Sequence, residues 1–185
     1  MSHSCGRIEI IIGCMFSGKS TETIRIVKRY ESINQKCLVI KHEIDKRYDN
    51  GNKLSTHDKN QIECISLKNL MDTLELSIFK NRNIIVIEEA QFFKDLYTFV
   101  TKVADNYNKT VIVTGLDGDF QRNMFGDILK LIPHAEKITR LNAFCSICND
   151  GTKAYFTKRI ISNNDIEVVG NEDIYKAVCR YHYLN

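Results

Sequence analysis

The run Gly13-Cys14-Met15-Phe16-Ser17-Gly18-Lys19-Ser20 matches the pattern G-x-x-x-x-G-K-S/T, and each part of that pattern has a physical task. The glycines let successive backbone N–H groups turn toward phosphate oxygens, and a helix starting near Lys19 would aim its positive dipole end at the same anion. Lys19 adds a point charge between the β- and γ-phosphates of ATP, and the Ser20 hydroxyl can ligate Mg²⁺. Such a cradle needs an acid at the end of a neighbouring strand to hold the metal's water shell, and Ile84-Ile85-Val86-Ile87-Glu88-Glu89 supplies two. On an extended backbone, neighbours point to opposite sides. One carboxylate can then stay ionised beside the metal while the other accepts a proton from an attacking hydroxyl.

A second chemistry sits near the C-terminus, where Cys145-x-x-Cys148 and Cys179-x-x-His182 form two ligand pairs. Each spacing lets a pair grip one tetrahedral ion, and four soft or borderline donors with no open position suit a structural Zn²⁺. A lone Cys-x-x-Cys also serves as a redox pair, but a second pair bracketing an expected hairpin favours the metal. Cys5, Cys14, Cys37 and Cys64 lack paired spacing and read as ordinary core or loop residues.

These groups need a scaffold. Short apolar runs at 8–12, 37–40, 84–87 and 110–114 read as strands buried on both faces, with helices at 21–32 and 92–106 at the right apolar spacing to cover them. The pattern is α/β, a mostly parallel sheet with helices on both faces. The polar, turn-rich stretch 41–59 reads as a mobile flap. Composition shifts after Leu141, so the expected units are 1–141, carrying the phosphate cradle, and 142–185, a small zinc lobe with short antiparallel strands at 153–161 and 166–169.

Composition narrows the function classes. A chain of 185 residues buries a core without disulfide staples, and 43% hydrophobic with 26% charged residues is ordinary for a globular protein. No apolar run approaches the roughly 20 residues that span a bilayer. The N-terminus shows no secretory h-region, which implies a reducing, cytoplasmic setting. Seven cysteines, an odd number, fit thiol or metal use better than a disulfide framework. The net charge of +3 is scattered, so no nucleic-acid footprint stands out and a small-molecule partner is expected.

With these residues assembled, the chain resembles the thymidine kinases of the cellular and poxvirus type over nearly its full length. The resemblance is carried by the phosphate-binding run and by Asp45-Lys46-Arg47-Tyr48, Thr56-His57-Asp58, Glu89-Ala90-Gln91-Phe92-Phe93, Leu116-Asp117-Gly118-Asp119-Phe120-Gln121-Arg122 and Thr157-Lys158-Arg159, in order. It implies a RecA-like P-loop domain and transfer of the ATP γ-phosphate to the 5′-hydroxyl of thymidine, in pyrimidine deoxynucleoside salvage. It further implies Glu89 as general base, and Asp45, Arg47, Glu88 and Gln91 beside Gly13 to Ser20 on the nucleotide side. Met15, Leu116, Phe120, Thr157 and Tyr175, with the lasso-loop segment Ile166, Glu167, Val168, Val169 and Gly170, would hold the nucleoside. Cys145, Cys148, Cys179 and His182 match structural zinc ligands at the base of that lasso. The resemblance also implies a homotetramer and feedback inhibition by dTTP, with no nucleic acid or membrane as partner. Two positions depart from the family's usual residues: Glu88 stands where Asp is usual, one methylene longer, and His182 where Cys is common, an exchange zinc accepts.

Two other classes compete on residues alone. A general P-loop NTPase would hydrolyse ATP without a nucleoside acceptor. A zinc ribbon binding nucleic acid would need a basic stripe with interleaved aromatics, which the C-terminal stretch lacks.

Overall fold

The computed structural model describes residues 5–44, 53–55, 61–161 and 173–185, with backbone only for 53–55. In chain order the elements are β1 (Arg7–Gly13), α1 (Lys19–Glu31), β2 (Cys37–His42), β3 (Lys53–Ser55), β4 (Gln61–Glu63), β5 (Ile65–Leu67), α2 (Ser77–Lys80), β6 (Ile84–Glu88), α3 (Leu96–Tyr107) and β7 (Thr110–Gly115). There follow β8 (Lys137–Leu141), β9 (Ala143–Phe144), β10 (Lys153–Ala154), β11 (Phe156–Arg159), β12 (Tyr175–Val178) and α4 (Arg180–Leu184). The main sheet runs β5-β2-β6-β7-β1-β8. Every pairing in it is parallel.

Parallel sheets must be covered on both faces, and the side-chain alternation shows how this one is. Ile8, Ile10 and Ile12 of β1, Leu38 and Ile40 of β2, Ile85 and Ile87 of β6, and Val111 and Val113 of β7 share one core with Leu96, Phe99, Val100 and Val103 of α3. The intervening Ile11, Val39, Ile84, Val86 and Ile112 form the other core with Ile24, Ile26 and Val27 of α1. Each fully buried aliphatic side chain contributes about 1.5–3 kcal/mol. Phe99, fully buried, is the largest anchor of α3, and Phe99→Ala would cost about 3–5 kcal/mol. The four expected central strands and the two-faced helical cover are therefore present.

Differences from the sequence expectation have local causes. The helix expected from 92 begins only at Leu96, because Ala90–Phe92 is a single 3₁₀ turn and Phe93 is extended, placing its ring in the core. It stops where Asn108 adopts a left-handed conformation and Lys109 N–H donates back to the Val103 carbonyl. Strands β5 and β8 went unread: the first is three residues long, and β8 is an edge strand whose exposed, charged residues show no apolar run. Of the expected flap, Lys41 and His42 belong to β2 and 53–55 pairs with β4, while 45–52 and 56–60 lie outside the described residues. The expected strand 153–161 is two, β10 pairing with β9 and β11 pairing antiparallel with β12. The partner expected at 166–169 lies outside the described residues. Among the described residues no helix is long and apolar enough to cross a membrane.

Candidate functional site

In an open parallel sheet, ligands bind beyond the carboxyl ends of the strands. β1 ends at Gly13, where any Cβ would fall 2.5 Å from the Leu141 carbonyl oxygen, so only glycine lets the chain turn there beside β8. Phe16 (φ 63°) and Gly18 (φ 82°) curl the loop through left-handed conformations before α1 starts at Lys19. Lys19 Nζ donates to the Cys14 carbonyl at 2.8 Å, bridging the loop from end to start. Ser17 Oγ is buried in the loop with no hydrogen-bond partner among the described residues, a polar atom that a phosphate oxygen would satisfy. The residues present thus fit the phosphates of a nucleotide.

The acid pair stands two strands from β1, beyond β7, a separation of about 10 Å. Glu88 ends β6, buried, in register with Lys41 of β2. Glu89 is not on extended backbone: it adopts φ 50°, ψ 43° at the start of the 3₁₀ turn. The direction of its carboxylate follows from that turn, not from strand alternation as the sequence suggested. Gln91 Nε2 donates to Glu89 Oε2 at 2.6 Å, and Gln91 Oε1 accepts the Leu116 N–H at 3.0 Å. Gln91 thereby ties the Glu89 side chain to the end of β7.

The residues expected on the nucleoside side converge in pairs. Met15 N–H donates to Thr157 Oγ1 at 3.0 Å, joining the phosphate loop to β11. The Arg159 guanidinium lies 3.8 Å from the Phe120 ring centre and donates to the Tyr175 hydroxyl at 2.6 Å. Phe120 and Tyr175 therefore meet across Arg159, which the sequence offered only as the third residue of a motif. Phe93 is core, whereas Phe92 and Phe125 stack edge to face with ring centres 5.5 Å apart and stay partly exposed. A cavity of about 160 Å³ opens between Cys14, Thr157, Phe156 and the Asp117–Arg140 ion pair, whose atoms lie 2.9 Å apart. Asp45, Arg47, Ile166, Glu167, Val168, Val169 and Gly170 lie outside the described residues.

At the far end, the ligand atoms of Cys145, Cys148, Cys179 and His182 all lie within 4.8 Å of one another. A tetrahedral zinc ion, with Zn–S about 2.3 Å and Zn–N about 2.0–2.1 Å, sets S···S edges of about 3.8 Å and S···N edges of about 3.5 Å. Here Cys148 and Cys179 sulfurs are 3.8 Å apart, and His182 Nδ1 lies 3.5, 3.3 and 3.5 Å from the sulfurs of Cys145, Cys148 and Cys179. Burial alone would raise the Cys145 thiol, but the amides of Cys148, Cys179 and Ile147 and the His182 ring outweigh it and bring it down to about 6. Burial and the Cys145 and Cys179 sulfurs push Cys148 up to about 11. Three sulfurs this close repel one another as thiolates, a conflict that a divalent cation removes. The donor set and its geometry fit zinc. Of the other cysteines, Cys5 is exposed and Cys14 and Cys64 are buried, with the Cys14 thiol raised by burial. None of them joins the cluster.

A glycine-turned loop leading from a central parallel strand into a helix, with buried and half-buried acids two strands away, defines a P-loop α/β protein that handles nucleotide phosphates. The family model described as thymidine kinase matches residues 6–183. The thymidine kinase of Sheeppox virus (strain KS-1) is 49% identical over 179 residues, covering 97% of this chain and 97% of that one. That of Vaccinia virus (strain Western Reserve) is 45% identical over 180 residues, covering 97% and 98%. This chain belongs to the thymidine kinase family. Among solved structures it is similar to the flagellar accessory protein FlaH from Methanocaldococcus jannaschii, with TM-score 0.47 and 16% identity, over 87% of this chain and 75% of that one.

Proposed function

We propose that this chain transfers the γ-phosphate of ATP to the 5′-hydroxyl of thymidine. The observation that carries the reading is the common edge of the sheet on which the phosphate loop, Glu88 and Glu89 all open, joined by Gln91 and by the Met15–Thr157 bond to the nucleoside-side residues. Phosphoryl transfer asks for positioning and charge neutralisation more than covalent chemistry. Gly13, Cys14, Met15, Phe16, Ser17, Gly18, Lys19 and Ser20 cradle the phosphates, with Asp45 and Arg47 alongside. Ser20 and Glu88 would hold Mg²⁺, which neutralises phosphate charge when bound. Glu89 takes the proton of the attacking 5′-hydroxyl, and the Gln91 amide holds the carboxylate for that task.

On the other side, Met15, Leu116, Phe120, Thr157 and Tyr175 hold the nucleoside, with 166–170 supplying backbone groups. The Cys145, Cys148, Cys179 and His182 cluster holds one structural zinc ion, and 1–141 and 142–185 act as nucleotide and substrate units. On the family resemblance alone we extend the proposal to a cytoplasmic homotetramer inhibited by dTTP.

Purified protein with Mg²⁺, labelled ATP and a panel of nucleosides tests the reading. Thymidine should be phosphorylated at the 5′-hydroxyl, with purine nucleosides and ribonucleosides much poorer. Equal turnover of adenosine or guanosine, or ATP hydrolysis indifferent to any nucleoside, would overturn it.

A further inference from the structure

The loop that carries Phe120 is knotted around one carboxylate. Asp119 Oδ1 accepts the Gln121 and Asn123 amides at 2.8 Å each, Asp119 N–H donates to the Asn123 carbonyl at 3.0 Å, and Arg122 N–H donates to the Asp119 carbonyl at 3.0 Å. Such a knot fixes the loop's internal shape, but its placement against the rest of the protein needs an external tie. Beside the Asp117–Arg140 ion pair and the Arg159 stack on Phe120, one such tie to the loop's backbone comes from α4. Tyr183 follows the ligand residue His182, and its hydroxyl donates to the Phe120 carbonyl at 2.8 Å across 63 positions of chain. Arg122, left-handed at φ 68°, sets its guanidinium 4.4 Å from the Tyr183 ring centre, a second contact between the same two elements. Lys158 Nζ donates to the His182 carbonyl at 2.7 Å, and the Phe156 ring lies 5.5 Å from that of Tyr183, so β11 holds α4 in place beneath the loop.

We propose that Tyr183 is a positioning residue for the nucleoside site: its hydroxyl pins the Phe120 backbone to the Cys145/Cys148/Cys179/His182 cluster, so that cluster and substrate loop hold one relative arrangement. This rests on the nucleoside kinase reading above. Phe120 is partly exposed, with Arg159 stacked on one face of its ring, so the fixed carbonyl sets the backbone position from which that ring reaches toward a bound base. The hydroxyl touches no phosphate-loop residue among its described partners, so its loss bears on the nucleoside and not on ATP.

Tyr183→Phe in the full chain removes the hydroxyl and keeps the ring that Arg122 and Phe156 pack on. Loss of one net hydrogen bond should raise KM for thymidine about three- to tenfold. Turnover, KM for ATP and zinc content should stay within about twofold of the parent. Backbone amide exchange in 119–124 should speed up while that of β6 does not change. Arg122→Ala, which removes the second contact, should act in the same direction on the same two readouts. Unchanged exchange in 119–124 overturns the proposal whatever the substrate, and so does an unchanged thymidine KM in a parent that uses thymidine, or an ATP KM that rises in parallel. A parent inactive on thymidine sinks the kinase reading instead, and the exchange data then decide the tie alone.

Discussion

Glu88 and Glu89 are neighbours in sequence with different surroundings. Glu88 is buried at the end of a strand, and Glu89 sits in a left-handed turn with its carboxylate held by Gln91. Glu89→Gln keeps an oxygen for the Gln91 amide but cannot take a proton, so turnover should fall about 10²–10⁴-fold with ATP and thymidine still bound. Glu88→Gln should weaken apparent Mg²⁺ affinity, with excess Mg²⁺ recovering part of the activity, and Glu88→Asp should be tolerated. A Mg²⁺ titration of these variants separates the roles: if Glu89→Gln is the variant rescued by metal, the assignment of the base is wrong. The types and positions of these acids were legible in the sequence, because a P-loop demands a carboxylate after a buried strand. The left-handed Glu89 was not, since a positive φ is uncommon outside glycine and its usual cues are Asn and Asp. Arg159 was hidden for another reason: its stacking on Phe120 joins residues on two distant elements, and no local pattern encodes that.

At the level of elements, Gln91 depends on the close approach of two glycines. A Cβ at Gly115 would fall 2.5 Å from Gln91 Oε1, and a Cβ at Gly126 would overlap the Gln91 carbonyl. Gly126 also holds φ 62°, so Gly126→Ala combines backbone strain with displacement of the residue that steers Glu89. That variant should lose about 1–3 kcal/mol of stability. Its turnover should fall more than its affinity for either substrate, as thermal unfolding and steady-state kinetics would show. Normal turnover in a destabilised Gly126→Ala protein would mean that Gln91 is not what places the base. The glycines themselves carry no sequence signal for this, because what each avoids lies on another element. Strands β1, β2, β6 and β7 were legible because both faces are buried and their apolar runs are continuous. The edge strands β5 and β8 and the β9–β10 and β11–β12 pairings were not, since short, half-exposed strands leave too few apolar positions to set a period.

Across the whole molecule, the residues after Leu141 bury little apolar surface of their own among the described residues. Their own buried members are Ala143, Cys145, Ala154, Ala177 and Val178, three of them alanines, with Phe156 and Tyr183 partly buried against them. Structural zinc supplies about 10–16 kcal/mol in small domains of this donor type, far more than such a cluster can. The cluster also includes Cys14 of the phosphate loop, whose thiol donates to the Ala154 carbonyl at 3.5 Å, and the neighbouring Met15 N–H is bound by Thr157. The phosphate loop is therefore packed against the same residues that the proposed zinc site would tie together. Elemental analysis should find about one zinc per chain, and Cys148→Ser should lose it. If the lobes were independent, that loss would damage thymidine use alone. With Cys14 and Met15 seated against the residues that the proposed zinc would hold, KM for ATP should rise as well, though less than KM for thymidine, because Lys19 and α1 remain anchored on the main sheet through the α1 core. Removing zinc from the parent with a chelator should give the same paired shift and lower the melting temperature. A zinc-free protein with full activity would refute the structural metal, and a rise confined to the thymidine KM would refute the coupling through Cys14 and Met15.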